Sequence, residues 1–283
     1  MNKHTQSELL ELQKQALAVR KNILRMVKAG GSGHVGGALS ATDIITTLYF
    51  SVMNVKPEDP NWADRDRFVL SAGHKCLALY AVLAEKGFFD KAILDTYGSL
   101  NSPLPGHPDM HALAGVESNT GALGHGLAIA GGMAMGLKLD RKKSRVYVIM
   151  GDGELAEGSN WEAAAAASHH KLDNLMVFVD LNGLQIGGQT SEIMANSPLA
   201  DRWRAFGWHV KEIDGHNIEQ ILACTDGIPF ETGKPTVVIA NTVKSKGFSF
   251  AEGKASYHYW SANDQEMAVA EEDLQKAERS LQQ

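Results

Sequence analysis

Residues 146–186 read VYVIMGDGELAEGSNWEAAAAASHHKLDNLMVFVDLNGLQI. The run Val146-Tyr147-Val148-Ile149-Met150 is short, continuously apolar and rich in β-formers, which predicts a strand buried on both faces. Gly151-Asp152-Gly153-Glu154 follows it directly. Residues 161–170, with five consecutive alanines, predict a helix, and 175–179 predict a second buried strand that ends in Asp180-Leu181-Asn182-Gly183. A strand, a helix and a second strand at this spacing make a parallel pair joined by a crossover helix. The fold class is therefore α/β, with a parallel sheet carrying helices on both faces.

The alternation continues outward on both sides. Apolar residues recur at helical spacing from Leu9 to Val27, so a first helix is expected over about 7–28, ended by Gly30-Gly31. Further helices are expected over 41–53, 74–86, 124–139 and 218–224, with a terminal helix from about 263. Strands are expected at 67–70, 208–213 and 236–240. Residues 98–120 read as irregular, with Pro103, Pro105 and Pro108 among glycines, asparagines and histidines; so long a loop in a compact domain suggests function. The chain shows no repeat, low-complexity tract or linker, and we expect one domain over 1–283 with a C-terminal helical extension.

Composition excludes several classes. Of 283 residues, 44% are hydrophobic and 21% charged, and the net charge is −6 with signs mixed throughout. No basic stripe points to nucleic acid. No apolar run is long enough to span a membrane, and the N-terminus lacks the pattern of a secretory signal. Cys76 and Cys224 match no metal or redox spacing. They read as buried small apolar residues in a reducing, cytoplasmic setting.

In open parallel sheets, ligands bind at the carboxyl ends of strands. Asp152 and Asn182, thirty positions apart, are expected at two adjacent strand ends. A carboxylate, an amide oxygen and a nearby loop carbonyl form part of a shell for a hard divalent cation such as Mg2+, completed by phosphate and water. The glycines beside Asp152 allow close approach of a phosphate, and a helix beginning near Gly158 would aim its N-terminus at negative charge. Singly, Gly-Asp-Gly and Asn-Gly are ordinary turn signals. Together, at this spacing and both at strand ends, they favour a site.

The stretch from Gly151 to Asn182 resembles the thiamin-diphosphate signature, and its form GDGELAEG followed by Trp161-Glu162-Ala163-Ala164 resembles the transketolase branch. The resemblance implies that the side chains of Asp152 and Asn182 and the Leu184 carbonyl hold Mg2+, or Ca2+ or Mn2+ in its place. The ion in turn would bind the diphosphate of thiamin diphosphate. It also implies cofactor contacts from Gly151, Gly153, Glu154 and Ile186. Glu157 corresponds to a family glutamate at a subunit interface that organises the partner's activating glutamate. From its position alone Glu157 reads equally as a helix-start acid favoured by the helix dipole.

Four histidines lie in or beside glycine-rich loops, at His34, His74, His107 and His125, where imidazoles can hold hydroxyls and move protons. SGHVGGALS, LSAGHKCLALYA and GHPDMHALAGVESNTGALGHG resemble successive transketolase motifs in family order. They imply that His34, His74 and His107 line the substrate and cofactor channel, with His74 nearer the diphosphate. Gly121-Ala122-Leu123-Gly124 resembles the family's Gly-Pro-Leu-Gly segment and places Gly121 and Leu123 beside the cofactor; Ala122 and His125 depart from the pattern. His258 resembles the last family histidine, although Tyr259 follows it where glycine is usual. His111, His169, His170 and His209 read as structural or surface residues. Lys244 and Lys246 read equally as cations that steer sugar phosphates and as parts of a solvated loop.

The resemblance runs from about residue 10 to 265 and matches only the first part of a full-length transketolase. It implies a partner chain with the pyrimidine-binding domain, two copies of each in a heterotetramer, and transfer of a two-carbon ketol unit from a ketose phosphate to an aldose. Met1 and the charged terminal helix are expected to be the natural ends of one subunit of a split enzyme. Two rivals stand beside it: another thiamin-diphosphate reaction on an α-keto acid, and a non-catalytic regulatory paralogue.

Overall fold

The computed structural model describes residues 4–282. Met1, on which part of the expectation about the chain's ends rests, lies outside them. Five strands form the central sheet: β1 (Arg67–Leu70), β2 (Val146–Gly151), β3 (Leu175–Leu181), β4 (His209–Asp214) and β5 (Thr236–Asn241). Their spatial order is β1-β2-β3-β5-β4, and every pairing is parallel. Strand side chains alternate between faces. Tyr147, Ile149, Met176 and Phe178 enter one apolar core, and Val146, Val148, Met150, Val177 and Val179 enter another. Both faces of the sheet are thus covered, which is why these strands read as unbroken apolar runs.

The first core is covered by α1 (Gln6–Gly30), α2 (Val35–Ser40), α3 (Thr42–Thr47) and α4 (Cys76–Lys86). The second is covered by α5 (Gly126–Leu139), α6 (Gly158–His169) and α7 (Leu199–Ala205). Helices α8 (Ile218–Thr225) and α9 (Asp264–Ser280) pack on the α1 side. Local chemistry sets the ends of α1. Thr5 and Glu8 form a reciprocal capping box at its start, and Gly31 closes it in the left-handed conformation (φ 74°). Asn263 caps α9 by accepting the Glu266 N–H, where the terminal helix was expected to begin.

The expected helix over 41–53 is corrected. Helical structure already begins at Val35, is offset at Ala41, and ends in a wide π-helical turn over Leu48–Val52. Gly36 and Gly37 do not break the helix. They make room for two lysine stems: a Cβ on Gly36 would stand 2.9 Å from Lys244 Cε, and one on Gly37 the same distance from Lys75 Cε. Helix α7 and two two-residue ladders, Ser32–Gly33 with Trp260–Ser261 and Leu184–Gln185 with Gly188–Gln189, were not expected. Both cysteines are buried and free, and burial pushes each thiol up to about 12, in line with a packing role. No helix among the described residues is long and apolar enough to cross a membrane.

Candidate functional site

The carboxyl ends of β2 and β3 lie side by side, with Gly151 opposite Asp180 in the ladder. Asp152 leaves the end of β2 almost fully buried. Its Oδ1 accepts the Gly153 N–H at 2.9 Å, and its Oδ2 accepts the Gly183 N–H at 2.7 Å. Gly183 is the residue between Asn182 and Leu184, so the Asp152 carboxylate lies against the turn that carries the other two expected ligands. The Asn182 side-chain oxygen accepts the Leu184 N–H at 3.1 Å, and the Leu184 carbonyl faces Lys244 Nζ at 3.3 Å. Among the described residues, no group of three or more His, Cys, Asp or Glu side chains has the geometry to hold a metal. A cation bound here would draw on one carboxylate, an amide, a carbonyl and its ligand's own oxygens, which is the hard-oxygen preference of Mg2+.

A cavity of about 500 Å³ opens beside this turn. It is lined by His34, His74, His107 and His258, by Gly121, Leu123, Gly151, Gly153, Glu154 and Glu157, and by Ile186 with Gln185 and Ile193. Thus every residue that the resemblance assigns to the site reaches one cavity, while His125 is exposed and does not line it. The imidazoles form a cluster: ring centroids are 5.5 Å apart for His34–His74 and His34–His258, 5.1 Å for His74–His258, and 6.0 Å for His34–His107. Burial, then the neighbouring Lys75, pulls His74 down to about 2; burial, then Lys244, pulls His258 down to about 4. Burial and His107 lower His34. At neutral pH His34, His74 and His258 are therefore neutral, each able to donate from one ring nitrogen and accept at the other.

The two glutamates assigned to the site are held differently. The Glu154 carboxylate is engaged within the protein by Ser71 Oγ and by the Gly124 and Gly151 N–H groups. It fastens the Gly121–Gly124 segment to the strand ends. Glu157 occupies the cap position of α6, but its side chain makes no capping bond and is exposed at the rim. Of the two lysines in the 242–248 loop, Lys244 is buried in the cavity, while Lys246 lies outside it, half-exposed and 3.5 Å from Glu252.

Sequence reasoning missed Lys75 and Asp180. Lys75 Nζ donates to Asp180 Oδ2 at 2.6 Å, and both are buried beneath the turn. Asp180 also accepts from Ser40 Oγ and Thr242 Oγ1, joining α2 and the end of β5 to the end of β3. Lys75 stands in Gly73-His74-Lys75 just after β1, beside a histidine already singled out, and that adjacency was the one available signal. Lys244 Nζ has only neutral partners among the described residues, the Leu184 carbonyl and His258 Nδ1 at 3.1 Å. Burial, then Lys75, lowers its ammonium to about 8. The charges of Asp180 and Asp152 favour the ammonium without touching it, and a buried ammonium with no carboxylate in contact, in one cavity with the Asp152 carboxylate, fits a ligand that carries both a metal and negative oxygens.

Gly121 allows the floor to close. Its φ is 141°, and a Cβ would stand 2.7 Å from His107 Cδ2. Gly121→Ala is expected to cost about 1–3 kcal/mol in stability through backbone strain and to push His107 aside. Thermal melts and the His107 imidazole resonance check this; an unchanged resonance in a fully stable variant would refute it.

Residues 12–279 match the family model for transketolase, thiamine diphosphate binding domain. The chain is 45% identical over 278 residues to a subunit of the apulose-4-phosphate transketolase of Phocaeicola vulgatus, covering 97% of this chain and 98% of that protein. It is 44% identical over 267 residues to a 6-deoxy-6-sulfo-D-fructose transketolase subunit of Clostridium sp. (strain MSTE9), covering 94% and 97%. The solved transketolase of Campylobacter jejuni superposes with a TM-score of 0.86 at 32% identity, over 95% of this chain and 45% of that one. The chain thus spans less than half the length of that solved relative and nearly the whole length of the two subunits. It belongs to the transketolase family, where it corresponds to the thiamine diphosphate binding domain.

Proposed function

We propose that this chain is the diphosphate- and metal-binding subunit of a two-chain transketolase. Together with a partner, it would transfer a two-carbon ketol unit from a ketose phosphate to an aldose. The observation that carries the reading is the Asp152 carboxylate bonded to the turn that carries Asn182 and the Leu184 carbonyl, with the buried Lys244 ammonium on that carbonyl and in hydrogen-bond contact with no carboxylate. Asp152, Asn182 and Leu184 would hold Mg2+, while Lys244 and the N-terminal end of α6 would face the diphosphate. Thiamin diphosphate, when bound, supplies the nucleophilic carbon and the electron sink for cleaving a bond beside a carbonyl. His34, His74, His107 and His258 would hold sugar hydroxyls, and the neutral members of the cluster would pass protons at their ring nitrogens. That concentration of imidazoles suits a polyhydroxylated substrate better than a simple α-keto acid.

The cavity mouth supports a partner chain carrying the pyrimidine-binding domain. Ile186 and Ile193 line the cavity and are exposed at 77% and 45%, and Met194, next along the chain, is exposed at 58%. Helix α5 adds Ala128 and Gly132 on its exposed side and has one charge, Lys138, in its whole length. Apolar surface of this kind at a site rim marks an interface. Glu157, exposed and lining the same cavity, would meet the partner there, in a heterotetramer of two chains of each kind.

The test combines this chain with its partner, Mg2+ and thiamin diphosphate, and supplies a ketose phosphate donor with or without an aldose acceptor. A new ketose phosphate is expected only when all components are present. Carbon dioxide release from an α-keto acid, with no aldose-dependent product, would overturn the reading in favour of decarboxylation. Failure of the complex to bind thiamin diphosphate in the presence of Mg2+ would favour a non-catalytic paralogue.

A further inference from the structure

A second network, built on the buried Asp43 with the half-buried Arg20 and His216, grips the loop that delivers Lys244. Arg20, from α1, donates Nη1 and Nη2 to the two oxygens of Asp43, from α3, at 2.8 and 2.7 Å. His216, in the turn between β4 and α8, places Nδ1 2.7 Å from Asp43 Oδ2, and its Nε2 accepts the Val243 N–H at 2.8 Å. A backbone N–H can only donate, so Nε2 is unprotonated and the ring proton points from Nδ1 to Asp43. Arg20 Nε donates to the Lys246 carbonyl at 3.2 Å. The network therefore grips the chain at residues 243 and 246, on either side of Lys244 and Ser245.

The gripped segment is one that needs holding. Ser245 is buried and left-handed (φ 62°), a conformation that is costly for a non-glycine residue and persists where its surroundings impose it. Its N–H donates to the Gly36 carbonyl at 2.9 Å. The reversal at Ser245 sends Lys244 inward to the cavity and leaves Lys246 outside. Burial alone would raise the Asp43 carboxyl, but Arg20 and His216 outweigh it and hold it at about 2, so the anchor of the network stays ionised.

We propose that His216 is a positioning residue: with Asp43 and Arg20 it fixes the backbone around Ser245 so that the Lys244 ammonium stands beside the Leu184 carbonyl. The consequence for cofactor binding rests on the function proposed above; the placement of Lys244 does not.

Buried lysines react slowly with acetic anhydride, so labelling read by mass spectrometry reports how well each is held. Lys244 and Lys75 are equally buried, and Lys75, gripped by Asp180, is the internal control. His216→Asn keeps an N–H near the Nδ1 position and has no atom at Nε2. It is expected to raise Lys244 labelling in the isolated chain roughly tenfold, with Lys75 unchanged. His216→Gln, whose carbonyl reaches towards Val243, is expected to restore much of the protection. Wild-type Lys244 labelling in a His216→Asn chain that melts cooperatively would overturn the proposal. So would equal acceleration at Lys75, or the failure of both variants to fold, because His216 would then serve the fold as a whole. In the complex, His216→Asn is also expected to weaken thiamin diphosphate binding. Freed Lys244 with unchanged affinity would uphold the positioning role and count against the contact between Lys244 and the diphosphate.

Discussion

Replacing Asp152 by asparagine is expected to weaken Mg2+-dependent capture of thiamin diphosphate severely and, without ligands, to make the chain more stable. The carboxylate sits 5% exposed at the end of β2. Burial, then the charge of Asp180, raises it to about 6; Lys75 and the N–H groups of Gly183 and Gly153 offset only part of that. A carboxyl raised in the folded state stabilises the fold below its ordinary titration range, and that contribution is lost as the pH rises through about 6. At pH 8 the ionised group is a cost of on the order of 2–3 kcal/mol at 1.36 kcal/mol per pH unit. Asparagine removes the charge but turns an amide N–H towards one of the glycine donors, so the net gain should be about 1 kcal/mol, or roughly 2–4 °C in Tm. The gain should shrink at pH 5, where the wild-type group is protonated. Removing the one carboxylate of the proposed ligand set should weaken binding by about a thousandfold, roughly 4 kcal/mol. Calorimetric melts of the two apo proteins at pH 5 and 8, and titration of the complex with cofactor and Mg2+, measure both effects. Wild-type cofactor affinity in the variant would remove the central support of the proposed function.

The sheet and the pairing of Asp152 with Asn182 were legible for the same reason. A strand–helix–strand unit has a length set by geometry, so two loops one unit apart must emerge on neighbouring strands at the same edge. Continuous apolar runs then identify the strands without any need for alternation. What could not be read depends on distance along the chain. Lys75 and Asp180 are separated by 105 positions and meet only because β1, β2 and β3 are adjacent. Ser40 and Thr242 join Asp180 from opposite ends of the sequence. The opposite fates of Lys244 and Lys246 turn on one left-handed serine, for which sequence gives no signal. The helical start at Val35 went unread because the glycines around His34 read as a loop, and a glycine pair that lets two lysine stems pass looks the same as one in a loop. The two-residue ladders have no period to detect.

Lys75→Met should be the most destabilising single change in the site, at about 3–5 kcal/mol at pH 8. Asp180 is fully buried, and its carboxylate gathers Lys75, Ser40 and Thr242. Burial by itself would raise this carboxyl; the Lys75 ammonium, followed by the hydrogen bonds, outweighs it and holds the group below the usual carboxylate range. In the wild type the stabilisation is present above the ordinary pKa and lost as the pH falls through the lowered one, so neutral solutions see all of it. Methionine fills the space of the lysine stem between Gly37 and Asp180 but leaves the anion with two hydroxyls. Burial then dominates, the carboxyl moves up instead of down, and the sign of the pH dependence inverts: the variant should recover stability as the pH is lowered from 8 to 5. Adding Asp180→Asn should restore most of the loss, since a neutral amide can still accept from one hydroxyl. Urea melts of the three proteins at both pH values test this. A cost below about 1 kcal/mol at pH 8, or one that does not shrink at pH 5, would mean that Asp180 is not held as an anion by Lys75. The turn above it would then owe its shape to the backbone alone. The same measurement separates two duties that one cavity wall combines: Lys75 neutralises a charge the fold already contains, and Lys244 is left to meet a charge that arrives with the ligand.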